Sequence, residues 1–159
     1  MLFRSLRCPG PKVLLIRVNA GPAPSSGWMA DVEQGGRIVG EACHFIDLAR
    51  FLVGARIDSV HAVSVRGASG LTDDASVSLG FSDGSIASVV YTGRGDPAAP
   101  KELVECYAAG TALVIDNFRS LTITSGGKVT RRRAMTAEKG HAAELRAFRS
   151  EEHTSELQS

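Results

Sequence analysis

Several features that usually announce a protein's chemistry are scarce or missing in this chain. Cysteine is rare: Cys8, Cys43 and Cys106 are the only three in 159 residues, an odd number with no CxxC spacing. That excludes a disulfide framework or a cysteine-built zinc site as the organising principle. Charge of one sign is missing too, because 18 Lys and Arg balance 17 Asp and Glu to leave a formal net charge of +1. Such a balance gives no general pull toward nucleic acid or an anionic membrane. No apolar run reaches the roughly 18 residues that a membrane-spanning helix requires, and no signal peptide is recognisable. The default location is therefore the cytoplasm. No GxGxxG follows a strand and opens a helix, so the fingerprint of a dinucleotide-binding turn is absent. What remains is ordinary for one globular domain, with 43% hydrophobic and 22% charged residues in a chain long enough to bury a core.

The most informative stretch is GGRIVGEACHFIDL, Gly35 to Leu48. Gly35 and Gly36 make a turn, and the run after them predicts a helix that ends at Gly54, a C′ glycine. At about 100° per residue, Arg37, Gly40, Glu41, His44 and Asp47 fall in one stripe roughly 120° wide. The other positions are apolar, from Ile38 and Val39 through Phe45, Ile46 and Leu48 to Phe51, Leu52 and Val53. A helix apolar over about two thirds of its circumference is expected to be deeply buried, with its polar stripe facing water or a cleft. A solvated face would carry Lys and several Glu. This one carries a lone histidine between two carboxylates, which suits the lining of a site.

That stripe resembles the active-site helix in the C-terminal domain of the Gfo/Idh/MocA oxidoreductases. LLIRVNAG at 14–21, KELVECYAAGTALVIDNFRSL at 101–121 and KGHAAELRAF at 139–148 are similar to the same domain in the same order. The likeness runs from residue 12 to 148, nearest to the branch acting on nucleotide sugars or cyclitols. It implies the substrate-binding half of an NAD- or NADP-dependent enzyme. The cofactor and a catalytic lysine in a Glu-Lys-Pro motif would lie on an N-terminal Rossmann domain missing from this chain. It also implies a homo-oligomer formed through the open face of the sheet. Residues 149–159, RSEEHTSELQS, are similar to a translated sequencing adapter, and 1–5 to its opposite end. Both ends are expected to be non-native or disordered, leaving 6–148 as the domain.

The remaining pattern is strands and tight turns. Val13 to Val18 reads as a buried strand and Val60 to Val65 as a β-branched one. Ala75, Val77, Leu79 and Phe81 alternate with small polar residues, a half-buried strand that turns at Ser82-Asp83-Gly84 into Ile86 to Tyr91. Leu103 to Tyr107 pairs with Ala112 to Ile115 around Ala109-Gly110, and Leu121 to Thr124 with Val129 to Arg132 around Ser125-Gly126-Gly127. Glu138 to Phe148 predicts a last helix. Hairpins with one or two helices give an α+β domain: an open, mainly antiparallel sheet with helices packed on one face.

Oxidising a secondary alcohol by hydride transfer requires a base for the hydroxyl proton, and histidine titrates in the right range. His44 and Glu41 are the catalytic candidates; Glu41 and Asp47 stand three residues to either side of His44 on its face. Many members of the family place an aspartate four residues before the histidine, where this chain has Gly40; either Glu41 takes over the orienting role, or the substrate differs, or the residue at that position has no catalytic part. Arg17, Asn19 and Asp47 are the substrate-binding candidates. Each has a plainer reading: a hydrogen-bonded structural histidine, an Arg37–Glu41 ion pair, a capping Asp47, an edge-strand Arg17 and a turn Asn19. Arg131-Arg132-Arg133 reads as a solvated strand end without the aromatic platform of a nucleic-acid module. His141 and Glu144 lack further ligands, so no metal site is expected. A non-catalytic, sheet-mediated oligomerisation module is the alternative function, because Ile86 to Tyr91 is apolar on both faces.

Overall fold

The structure, a computed structural model, describes residues 8–22, 36–65 and 74–134. The expected helix at 138–148, the pair His141 and Glu144, and both chain ends lie outside the described residues. Eight strands form one sheet: β1 (Val13–Asn19), β2 (Ile57–Ser64), β3 (Ala75–Phe81), β4 (Ile86–Thr92), β5 (Glu102–Ala108), β6 (Thr111–Asp116), β7 (Ser120–Ser125) and β8 (Lys128–Arg133). Their order is β2-β3-β4-β1-β5-β6-β7-β8. All neighbours are antiparallel except β1 and β4. Between β1 and β2 the chain makes a π-helical segment, Ile38–Ala42, that runs into α1, Cys43–Val53. This is the α+β architecture expected from the sequence.

The topology follows from where β1 lies. It is the first strand and sits in the middle of the sheet, so the chain leaves it, crosses through the helix and returns at the far edge. The β2-β3-β4 meander then walks back to lie parallel with β1. The next connection passes over the C-terminal end of β1 to place β5 on its other side, and β5 to β8 continue outward through tight hairpins. Ala109-Gly110 and Gly126-Gly127 turn two of them with positive φ, the left-handed pairs that two-residue hairpins require.

Period-two alternation decides what is buried. Leu14, Ile16 and Val18 point to the helix side with Leu79, Ala87, Val89, Tyr91, Val104, Cys106, Leu113, Ile115 and Leu121. Phe45, Ala49, Leu52 and Val53 of α1 close that core. Burial pushes the Cys106 thiol above the ordinary cysteine range, consistent with a reduced core thiol. The other face of the sheet has no helix on it among the described residues. There Val13, Leu15, Ile86 and Val90 stand exposed beside Arg17, Ser88 and Glu105.

The helix differs from expectation in one respect. It is not deeply buried: Val39 and Phe51 are 62% and 69% exposed. The π segment explains part of this, because i→i+5 bonding winds more slowly than an α-helix and shifts the phase of everything after it. The polar stripe is therefore split. Arg37 is buried and Glu41 mostly so, whereas His44 and Asp47 are exposed.

Both helix ends are tied to the sheet. The ammonium of Lys12, at the start of β1, donates to the carbonyl of Val53 at 3.1 Å, a cation on the unsatisfied C-terminal carbonyls of α1. Gly54 ends the helix with φ 77°, its N–H bonded to the Arg50 carbonyl. A β-carbon there would meet no neighbour, so Gly54→Ala isolates the backbone term. We expect it to lower unfolding free energy by about 1 kcal/mol, measured by urea denaturation.

Candidate active site

The polar residues of the helix start converge on the C-terminal end of the parallel pair. Parallel strands carry side chains at corresponding positions on one face, and the carboxyl ends of such strands form a natural crevice. Tyr91, second from the end of β4, points to the helix side next to Val18. Its hydroxyl donates to Glu41 Oε2 at 2.6 Å. Lys101, just before β5, donates from Nζ to Glu41 Oε1 at 2.9 Å. Arg37, one turn before Glu41, approaches Oε2 at 3.4 Å and lies over the Tyr91 ring at 5.6 Å from its centroid. The guanidinium also donates to the carbonyls of Gly21 at 2.7 Å and Ala20 at 3.2 Å. Glu41 thus joins the helix, β4 and the entry to β5.

Electrostatics keeps this hub ionised. Burial works against the Glu41 charge, but the Tyr91 and Lys101 hydrogen bonds and the two nearby cations outweigh it and lower its pKa. Burial and the Glu41 carboxylate push the Tyr91 hydroxyl well above the tyrosine range, so it remains a proton donor. A second buried carboxylate, Asp74, is similar. Burial opposes its charge, yet Thr92 Oγ1 at 2.6 Å, Gly93 N at 3.1 Å and Arg94 Nε at 2.9 Å lower its pKa.

The site residues expected from the sequence are not all brought together. His44 and Asp47 share the exposed stripe of α1, and Asp47 is 4.0 Å from Arg50 with both side chains mostly solvated. Glu41 is one turn from His44, but both its oxygens are directed at Tyr91, Lys101 and Arg37 rather than at the imidazole. Arg17 stands on the open face of the sheet, opposite the helix, and donates to the Pro100 carbonyl at 3.2 Å. Asn19 is buried; its amide donates to the Asp96 carbonyl at 2.9 Å and its Oδ1 is enclosed without a partner. Gly95 has to be glycine, because a β-carbon there would overlap the Asn19 amide. Asn19 therefore holds the connection that crosses β1. Reasoning from sequence missed Tyr91 and Lys101. Lys101 lies within the quoted stretch 101–121, but nothing local signals which carboxylate it meets.

No three His, Cys, Asp or Glu gather to hold a metal ion among the described residues, and no helix there is long and apolar enough to cross a membrane.

The chain is thus an α+β domain with a central parallel pair in an otherwise antiparallel sheet, one covered face and a polar hub at the strand ends. The sequence matches the GFO/IDH/MocA C-terminal domain model over residues 13–111, and the chain belongs to that family. No curated protein sequence matches it significantly. Among solved structures, UDP-N-acetylglucosamine 3-dehydrogenase GnnA from Acidithiobacillus ferrooxidans superposes with TM-score 0.74 at 20% identity, covering 91% of this chain and 45% of that one. The super-repressor mutant of Gal80p from Saccharomyces cerevisiae gives TM-score 0.75 at 15% identity, with 99% and 48% covered. An oxidoreductase from Agrobacterium radiobacter, solved with NAD+, L-tartaric acid and magnesium, gives 0.67 at 19%, with 88% and 44% covered. The chain spans less than half the length of each.

The hub yields a pH prediction. A carboxylate whose folded pKa is lowered contributes stability that is present above its ordinary pKa and lost as pH falls through the lowered one. Glu41→Gln should flatten the acid-side decline in unfolding free energy below the ordinary glutamate value of 4.5. Asp74 should retain part of the slope. Tyr91→Phe should cost about 1–3 kcal/mol at neutral pH by withdrawing a donor from a buried charge. Denaturation midpoints measured from pH 3 to 7 check both.

Proposed function

We propose that this chain is the substrate-binding and acid/base half of an NAD- or NADP-dependent oxidoreductase acting on a hydroxyl of a sugar, sugar nucleotide or cyclitol. The observation that carries this reading is the anchored helix start. Glu41 locks the π segment to the strand ends, and His44 follows one turn later with its ring accessible. The family and the sugar-nucleotide dehydrogenase among the structural neighbours support the substrate class, and the NAD+ complex of another supports the cofactor.

In this reading a separate N-terminal dinucleotide-binding domain would hold the nicotinamide coenzyme, which would supply the hydride acceptor when bound. The imidazole of His44 takes the proton from the substrate hydroxyl as the C–H bond is broken, so one proton and one hydride leave the carbinol together. Glu41 is a positioning residue: it fixes the helix on which His44 stands. Asp47, on the same exposed stripe of α1, is the remaining candidate for a substrate hydroxyl. Arg17 and Asn19, two residues apart on β1, both hold the β4–β5 connection, through the Pro100 and Asp96 carbonyls.

Within the protein that joins this domain to its dinucleotide-binding partner, His44→Gln should lower kcat by about 10²–10⁴-fold, the usual worth of a positioned base. KM for the nicotinamide should be unchanged. An unaltered kcat would end the assignment. The 159-residue chain alone should show no NAD binding in the micromolar range by calorimetry.

A second reading, a non-catalytic module that assembles through the sheet, is favoured by the exposed row Val13, Leu15, Ile86 and Val90 on the face opposite the helix. A repressor among the structural neighbours supports a non-enzymatic use of this fold. If that face joins copies of the chain, Leu15→Glu with Val90→Glu should reduce the mass seen by sedimentation equilibrium to the monomer.

A further inference from the structure

A cleft of about 390 Å³ opens beside the Glu41 hub, lined by Pro97 to Glu102 together with Asn117 and Arg119. Two parts of the chain build it. One is the connection that crosses the end of β1. Asp96 stiffens it by accepting the Ala98 N–H at 2.7 Å through its carboxylate and the Ala99 N–H at 3.0 Å through its carbonyl. Asn19 and Arg17 pin the same connection from below. The other is the β6–β7 turn. Asn117 and Phe118 both adopt left-handed backbone, φ 47° and 51°, a conformation that non-glycine residues keep only where the surroundings enforce it. Here the enforcement is visible. The Asn117 N–H donates to the Glu102 carbonyl at 2.7 Å, its Oδ1 accepts from the Glu102 N–H at 2.9 Å, and Phe118 is buried. The turn delivers Arg119 to the rim.

The charges exposed at this cleft are both positive. Among the described residues, Arg119 is exposed and takes part in no ion pair, and Lys101 is 46% exposed with its ammonium bonded to Glu41. An ammonium has three donors and a guanidinium five, so both retain capacity. Glu102 also lines the cleft, but it is buried. The Asn117 amide accepts from the Glu102 N–H through its oxygen, and Asn117 lines the cleft.

We propose that Lys101 and Arg119, with the Asn117 amide, recognise an oxyanion carried by the substrate, either the diphosphate of a nucleotide-linked sugar or the carboxylate of a sugar acid. The identity of the carrier rests on the oxidoreductase reading; the anion site does not. Lys101 touches both this cleft and Glu41, and Glu41 precedes His44 by one turn. An anion held here would therefore leave the rest of the ligand extending toward the exposed stripe of α1. Charge-assisted contacts to two cations favour a compact oxyanion over a neutral hydroxyl.

The test is a titration of the ¹⁵N-labelled 159-residue chain with inorganic pyrophosphate, sodium gluconate and, as a neutral control, glucose. Saturable amide shifts confined to residues 97–102 and 117–119 are expected with at least one anion and not with glucose. Pyrophosphate alone identifies the diphosphate, and gluconate alone the carboxylate. Lys101→Met and Arg119→Met should each weaken binding about tenfold, the loss of one charge-assisted contact, and added salt should weaken it further. Arg119→Met is the decisive variant because it leaves Glu41 untouched. His44→Gln should leave the affinity unchanged, which separates this site from the acid/base assignment. No saturation with either anion, or an affinity indifferent to Arg119→Met, would overturn the proposal.

Discussion

The carboxylate of Glu41 is where three separately formed parts of the chain are joined. Its partners come from the helix itself, from β4 and from the entry to β5. Arg37 ties the same helix start to the Ala20 and Gly21 carbonyls beyond β1, and Glu41 adds β4 and the entry to β5. Leu52, Val53 and Lys12 hold the opposite end. The orientation of His44 therefore depends on a residue one turn away whose own charge is spent on structure. This is why Glu41 is a better anchor than base: an oxygen that already accepts from a tyrosine and an arginine is a poor proton acceptor for a third group.

The hub is affordable because it is only partly buried. A fully enclosed ion pair loses more in desolvation than it regains in attraction. Here Lys101 reaches solvent, while Arg37 is buried but satisfied by two backbone carbonyls besides the carboxylate. The tyrosine ring beneath Arg37 adds a face-on contact. Each ion keeps either water or a full set of partners. The exception is Arg37 Nε, which is enclosed without one.

The strands were readable in the sequence because their periods are local. Val13 to Val18, Ala75 to Phe81 and the two glycine hairpins each carry alternation or turn chemistry within about ten residues, and each stands within a residue or two of its expected place. Gly54 was equally legible as a helix stop. The helix face was not. A 100° wheel places Arg37, Glu41, His44 and Asp47 together, and only the π segment, which no local pattern announces, rotates the first pair toward the sheet and leaves the second outside. Tyr91 and Lys101 were invisible for a different reason. Their partner is 50 and 60 residues away in sequence, and the contact exists only because β4 returns beside β1. Asn19 shows the same limit, since its role comes from a loop more than seventy residues later.

The crossing over β1 ties these observations together. A first strand placed in the middle of a sheet requires a later connection to pass its end, and that connection must be short, rigid and close to the backbone. Gly95 permits the close approach to Asn19, and Asp96, Pro97 and Pro100 give the stiffness. Lys101 leaves the crossing pointed at Glu41. The same route that closes the fold thus carries a cation to the helix start and shapes the wall of the neighbouring cleft. Architecture and candidate chemistry meet here because topology leaves no other path from β4 to β5.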